Sequence, residues 1–192
     1  FIRSEYKAAQ NGFVQPYADS PMDDEQVGEE VYISMVNKAE KYCWFITPYL
    51  IITDEMTHAL CLAAKRGIDV RIITPGIPDK KMIYSVTRSF YHGLVKNGVR
   101  IYEWTPGFCH AKMSVADDCM ATCGTINLDY RSLYHHFENG CFMADCQAVL
   151  DIRNDLAATM DECREVTEQY STGRSAYLRL GQLFMRLFAG LL

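Results

Sequence analysis

The spacing of polar residues between Cys109 and Gly140 constrains this chain more than any other feature. The run Cys109-His110-Ala111-Lys112-Met113-Ser114-Val115-Ala116-Asp117-Asp118 leads through Cys119 to Cys123, then Gly124-Thr125-Ile126-Asn127, and later Phe137-Glu138-Asn139-Gly140. His110 and Lys112 are two positions apart, so an extended backbone sets both side chains on one face. Asp117-Asp118 reads as a tight turn, which makes 113–116 and 119–123 the two arms of a hairpin.

The residue types suit an anionic ligand. An imidazole is a nucleophile and proton carrier near neutral pH, and an ammonium beside it can hold phosphoryl oxygens. Gly124 lets backbone approach a ligand closely. The Thr125 hydroxyl and the Asn127 amide can donate hydrogen bonds to an anion.

His-x-Lys, four residues, Asp, six residues and Gly-Ser/Thr-x-Asn is a pattern that resembles the signature of the phospholipase D superfamily. His110, Lys112, Asp117, Gly124, Thr125 and Asn127 match it position by position, with Thr125 where Ser is commoner. The flanks Gly12-Phe13-Val14-Gln15-Pro16-Tyr17, Ile46-Thr47-Pro48-Tyr49-Leu50 and Asp69-Val70-Arg71-Ile72-Ile73-Thr74-Pro75 are similar to the C-terminal half of bacterial cardiolipin synthases, as is the ending Arg186-Leu187-Phe188-Ala189-Gly190-Leu191-Leu192. The resemblance implies an α/β fold, a phospholipase D-like mixed sheet flanked by helices, present as one repeat of a two-repeat enzyme. It implies phosphatidyl transfer between two phosphatidylglycerols, giving cardiolipin and glycerol through a phosphohistidine, with no metal and no organic cofactor. The implied partners are phosphatidylglycerol, the cytoplasmic face of the bacterial inner membrane, and an N-terminal half of the same polypeptide carrying the other His-x-Lys copy. Membrane helices and that copy are expected upstream of Phe1. Two alternatives stand beside this reading: a homodimeric phosphodiesterase of phospholipase or nuclease type, and a non-catalytic lipid-binding domain.

Roles follow within that scheme. His110 Nε2 attacks phosphorus. Lys112, Thr125 and Asn127 hold the equatorial oxygens, and a second histidine serves as acid and then base. Glu138 matches an acid of the family and is expected on His110 Nδ1, fixing the tautomer. Asp117 lies an odd number of residues from His110, so strand parity assigns it a structural part in a turn. His135, His136 and Arg131 are weaker candidates near the site. His58 and His92 fall on helices, and Arg71 suits a structural ion pair.

With 192 residues the chain is one domain, and its net charge of −5 argues against a nucleic-acid partner. The eight cysteines lack zinc-knuckle spacing and read as free thiols. Residues 1–26 read as a linker and approach, and 27–192 as the catalytic domain. Within it the patterns give helices over 27–41, from Thr53 to Gly67, 79–96, 128–136 and 147–168. Strands are expected over 42–47, 70–74, 99–104 and 137–144, with parallel crossovers between the early ones. An amphipathic helix over 173–192 carries an apolar stripe with Arg174, Arg179 and Arg186, suited to an anionic membrane surface or to packing on the domain.

Overall fold

Residues 12–171 are described by the computed structural model, and the chain enters its main sheet within a few residues. Strand β1 (Phe13–Asp19) ends on a buried carboxylate, and Asp19 Oδ2 accepts the Gly28 N–H at 2.7 Å. That bond caps helix α1 (Val27–Lys38), whose own N-cap side chain, Gln26, gives none. Strand β2 (Tyr42–Ile46) and the short β3 (Leu50–Ile51) follow. Thr53 then caps α2 (Asp54–Lys65), accepting the Met56 N–H at 3.0 Å, with Asp54 and Glu55 at the positive end of the helix dipole. Gly67, at φ +93°, turns the chain out of α2 into β4 (Asp69–Pro75). Next come α3 (Lys81–Val95) and β5 (Arg100–Trp104). The motif hairpin is β6 (Met113–Ala116) and β7 (Met120–Gly124). After it come β8 (Leu128–Asp129), α4 (Tyr130–Tyr134), β9 (Glu138–Ala144), α5 (Gln147–Asp161), β10 (Cys163–Glu165) and α6 (Thr167–Ser171).

Eight strands form one mixed sheet in the order β1-β9-β7-β6-β2-β4-β5-β10, and β3 pairs with β8 beside it. β2, β4 and β5 are parallel; every other neighbour in the large sheet is antiparallel. Alternation along the strands divides the core in two. Cys43, Phe45, Val70, Ile72 and Ile101 meet Met35, Leu60 and Leu94 of α1, α2 and α3 on one face. Ile46, Ile73, Tyr102, Val115 and Ala121 meet Val149, Leu156 and Met160 of α5 on the other. The result is the mixed sheet flanked by helices that the motif and its flanks imply. None of the described helices is long and apolar enough to cross a membrane.

Several expectations need correction. The linker over 1–26 contains β1, so the sheet begins before residue 27. This strand shows no apolar alternation and carries Pro16; both suit an edge, which is where it lies. The helix expected over 147–168 stops at Asp161, and Cys163–Glu165 pairs with β5 instead. Arg164 reaches the buried Glu103 at 2.7 Å and Arg100 grips Glu165, so edge pairing prevails over helix continuation. The helix over 27–41 ends at Lys38 because Ala39 is extended. Only 130–134 of the expected 128–136 helix is helical. The 173–192 helix lies outside the described residues.

The hairpin turn is built on two left-handed residues, Asp117 (φ 54°) and Asp118 (φ 59°), a geometry that aspartate tolerates better than most side chains. The Asp117 carboxylate accepts the N–H groups of Glu40, Lys41 and Tyr42 at 2.7, 2.9 and 2.9 Å, fastening the hairpin to the start of β2. Asp117→Ala loses these bonds and puts alanine in a left-handed site, a combined cost of about 3 kcal/mol. Asp117→Asn keeps the backbone preference and one acceptor, and should lose about half of that. Urea denaturation reads both; equal losses would show that the carboxylate charge carries the whole effect and that a single neutral acceptor contributes nothing.

Candidate active site

His110 and Lys112 sit just before β6, where the Gly124 N–H still reaches the Lys112 carbonyl at 3.3 Å and continues the hairpin ladder. By parity Lys112 shares its face with Ser114, whose hydroxyl meets Thr122 at 2.6 Å and Met35 of α1 at 3.5 Å. The two motif side chains point the same way: Lys112 Nζ lies 3.0 Å from His110 Nδ1 and 2.7 Å from the His110 carbonyl. The imidazole is exposed, flanked by the rings of Phe108 at 5.8 Å and Tyr49 at 6.5 Å. Burial lowers the Lys112 pKa below the ordinary lysine value, and the nearby Glu138 and Asp129 carboxylates oppose that shift. An ammonium donating to Nδ1 leaves the ring proton on Nε2, so the neutral ring presents no lone pair there in the unliganded site.

Thr125 and Glu138 meet across the β7–β9 junction. The Thr125 hydroxyl donates to Glu138 Oε2 and accepts the Asn139 N–H at 3.0 Å, while the Thr125 N–H donates to the Asn139 carbonyl at 2.8 Å. Glu138 Oε1 accepts the Ser132 hydroxyl at 2.7 Å and has His136 Nδ1 at 3.7 Å. The expected bond between Glu138 and His110 Nδ1 is therefore not made. Nδ1 faces Lys112, and both carboxylate oxygens hold hydroxyls from the β7–β8 loop and α4.

Asn127 is positioned from two sides. β8 pairs with β3 (Leu50↔Leu128, Ile51↔Asp129), and the Leu128 N–H donates to Thr47 Oγ1 at 3.0 Å. Asn127 Nδ2 donates to Asp129 Oδ2 at 2.9 Å, and Asp129 Oδ1 accepts the Ser132 N–H at 2.7 Å, capping α4. Burial raises the Asp129 pKa above the usual carboxylate value. Asn127 Oδ1 is buried and has no hydrogen-bond partner among the described residues.

Gly124 serves a different approach from the one its sequence suggests. A Cβ there would lie 2.4 Å from the Asn139 carbonyl oxygen and 2.7 Å from Gly140 Cα, so the backbone that comes close is β9. Gly140 in turn lies under Tyr17, whose Cζ would be 2.4 Å from an added Cβ. This close-packed junction holds Glu138 beside Thr125. Asp117 stands at the opposite end of β6, roughly 17 Å from Lys112 by strand rise.

Among the secondary candidates, Arg131 and His136 line a cavity with Asn127, whereas His135 lies against the Tyr130 ring at 6.4 Å. His92 Nδ1 bonds the Tyr170 carbonyl at 2.8 Å, and His58 is exposed on α2. Arg71 pairs with Asp69 at 2.7 Å and lies over the Trp44 ring. Tyr49, Asp129 and Ser132 escaped sequence reasoning. Asp129 and Ser132 do carry a readable signal, a helix N-cap and its N3 position. No cluster of His, Cys, Asp and Glu among the described residues could hold a metal ion.

Residues 32–160 match the family model described as cardiolipin synthase, phospholipase D-like domain. An uncharacterized protein of Streptococcus mutans is 50% identical over 182 residues, covering 95% of this chain and 40% of its own length. A cardiolipin synthase of Halalkalibacterium halodurans is 32% identical over 182 residues, covering 95% of this chain and 36% of its own. The chain thus spans two fifths or less of these curated relatives. In fold it is similar to the crystal structure of phosphatidylserine synthase from Haemophilus influenzae, with a TM-score of 0.74 at 16% identity, covering 100% of this chain and 50% of that one.

Proposed function

The chain belongs to the cardiolipin synthase, phospholipase D-like domain family, and from that premise we propose that it is one catalytic half of a phosphatidyltransferase that joins two phosphatidylglycerols into cardiolipin and glycerol. The observation that carries the proposal is the 3.0 Å approach of Lys112 Nζ to an exposed His110 ring. An ammonium that touches the imidazole is within reach of the phosphoryl oxygens of any diester the imidazole attacks.

The chemistry then runs in two displacements. His110 Nε2 forms a bond to phosphorus as the bond to the first headgroup oxygen breaks, and that alkoxide takes a proton from a histidine of the other half. Glycerol leaves. The primary hydroxyl of the second lipid returns its proton to the same histidine, and its oxygen bonds phosphorus as the N–P bond breaks. Attack needs a bare Nε2. Lys112 must move from Nδ1 to a phosphoryl oxygen, and Nδ1 must take up the proton. Thr125 donates to the same oxygens once its present bond is exchanged, and Asn127 through its second Nδ2 hydrogen while the first stays on Asp129. Both substrates are lipids, so the proposed chemistry runs at a membrane surface, which we take to be the cytoplasmic face of the bacterial inner membrane.

The test is conversion of phosphatidylglycerol by the protein that carries this chain. Cardiolipin and glycerol in equal amounts are expected. Phosphatidic acid and glycerol as the sole products would replace the transferase with a hydrolase, and absence of turnover would remove the catalytic reading.

A further inference from the structure

Beside the His110–Lys112 pair lies a cavity of about 180 Å³, whose polar lining includes Tyr49, Lys80, Asn127, Arg131, Ser132 and His136. It is smaller than the roughly 300 Å³ at which pockets take drug-sized ligands, so its scale is that of a headgroup. Asn127 belongs both to this lining and to the motif. Tyr49 joins the two regions: its ring faces His110, and its hydroxyl donates to Asp79 Oδ2 at 2.6 Å just ahead of α3.

Three features of the lining call for an anion. Lys80 and Arg131 have no carboxylate within ion-pairing distance among the described residues. The N-terminus of α3 begins at the cavity wall with no side-chain cap; the Asp79 carboxylate ahead of it takes the Lys80 N–H at 2.7 Å and the Tyr49 hydroxyl, and leaves the N–H groups of the first helical turn uncapped. His136 adds a third basic group. Opposing them, Asp129 also lines the cavity, but its oxygens accept from Asn127 and Ser132. A fourth feature calls for something else. Asn127 Oδ1 is a buried acceptor without a donor, its orientation fixed by the Nδ2 bond to Asp129. An ionised phosphodiester has no hydrogen to offer it, whereas an alcohol has.

We propose that this cavity is the acceptor subsite: it holds an alcohol that carries a phosphodiester a few bonds from its hydroxyls, with the diester on Lys80 and Arg131 and a hydroxyl on Asn127 Oδ1. The choice of acceptor rests on the transfer reading above, in which the second phosphatidylglycerol has this chemistry. The subsite selects a charged acceptor over water and over plain alcohols. It also sets the incoming hydroxyl next to the motif residue that faces phosphorus.

The probe is glycerophosphoglycerol, the soluble deacylated headgroup, titrated onto the 192-residue chain by calorimetry or ligand-detected NMR, with glycerol and inorganic phosphate as comparison ligands. The diester is expected to bind at least tenfold more tightly than either. Lys80→Ala with Arg131→Ala should weaken it at least tenfold, and His110→Ala should leave it unchanged. Both cationic residues are exposed, so the double variant is expected to fold, and its thermal midpoint checks this. Unchanged affinity in the double variant overturns the subsite. Phosphate binding as tight as the diester makes it a free-phosphate site and likewise overturns it. Loss of binding in His110→Ala moves the probe to the catalytic pair, with the same consequence. Binding of the diester by a protein that transfers no phosphatidyl group keeps the subsite and removes the transferase; transfer with an unaffected double variant does the reverse.

Discussion

His110→Ala is expected to lower phosphatidyl transfer by at least about 10³-fold, because in the proposed mechanism it deletes the atom that bonds phosphorus. The ring is exposed and its polar contact is Lys112, so the thermal midpoint should hardly move. Lys112→Ala should cost on the order of 10²-fold or more, the scale of one lost transition-state donor. The double variant should be little worse than His110→Ala alone, since groups that act as a unit do not add. An acid-labile phosphoenzyme trapped at this chain, and lost in His110→Ala, identifies His110 as nucleophile. A phosphoenzyme that persists in that variant makes His110 the acid, a role that requires the ring to be protonated on both nitrogens. Full transfer in either single variant would end the assignment.

The lowered pKa of Lys112 adds a pH signature. As pH rises, the ammonium is lost before an ordinary lysine would lose its proton, and with it the charge proposed to hold the phosphoryl oxygens. The alkaline fall of kcat/KM, which reports the free enzyme, should therefore begin early. Lys112→Arg keeps its charge to much higher pH and should move that fall upward, even if its absolute rate is lower.

Where local rules suffice, the sequence is transparent. Asp117-Asp118 needs no tertiary partner to turn, and the two-residue step from His110 to Lys112 fixes a shared face wherever the backbone is extended. Thr53 caps α2 through its own N3 neighbour. The parts that were opaque depend on strands distant in sequence. β1 lacks alternation because it packs at an edge, and β10 is a strand only because β5 offers an open side. Gly124 looks like a ligand contact until β9 is seen to lie on it. The place of Glu138 in the chain suggests a partner for His110, but Thr125 and Ser132 compete for it, and which donor wins is settled by rotamers that spacing does not encode. Asp129 went unnoticed because its importance comes from burial beneath Asn127.

Glu103→Ala should be the most damaging single change to stability outside the apolar core. Glu103 sits on β5 with no side-chain exposure. Its carboxylate receives Arg88 of α3 through Nε and Nη2, both at 2.8 Å, and Arg164 of β10 at 2.7 Å. Removing it strands the Arg88 guanidinium in a half-buried site against the Tyr84 ring, and breaking a buried pair in this way costs about 3–5 kcal/mol. Arg164 is more than half exposed and contributes little of that. For a chain of this length the loss corresponds to a fall of roughly 10 °C in thermal midpoint. Replacing both buried partners, Glu103→Leu with Arg88→Leu, should recover most of the loss, because a matched apolar pair needs no compensation. The same bonds press α3 onto the sheet, and α3 begins at the wall of the proposed acceptor cavity. Glu103→Ala should therefore also weaken glycerophosphoglycerol binding, and the double leucine variant should restore it. A double variant as unstable as Glu103→Ala would show that the carboxylate stabilises the sheet through its own bonds, not by neutralising Arg88.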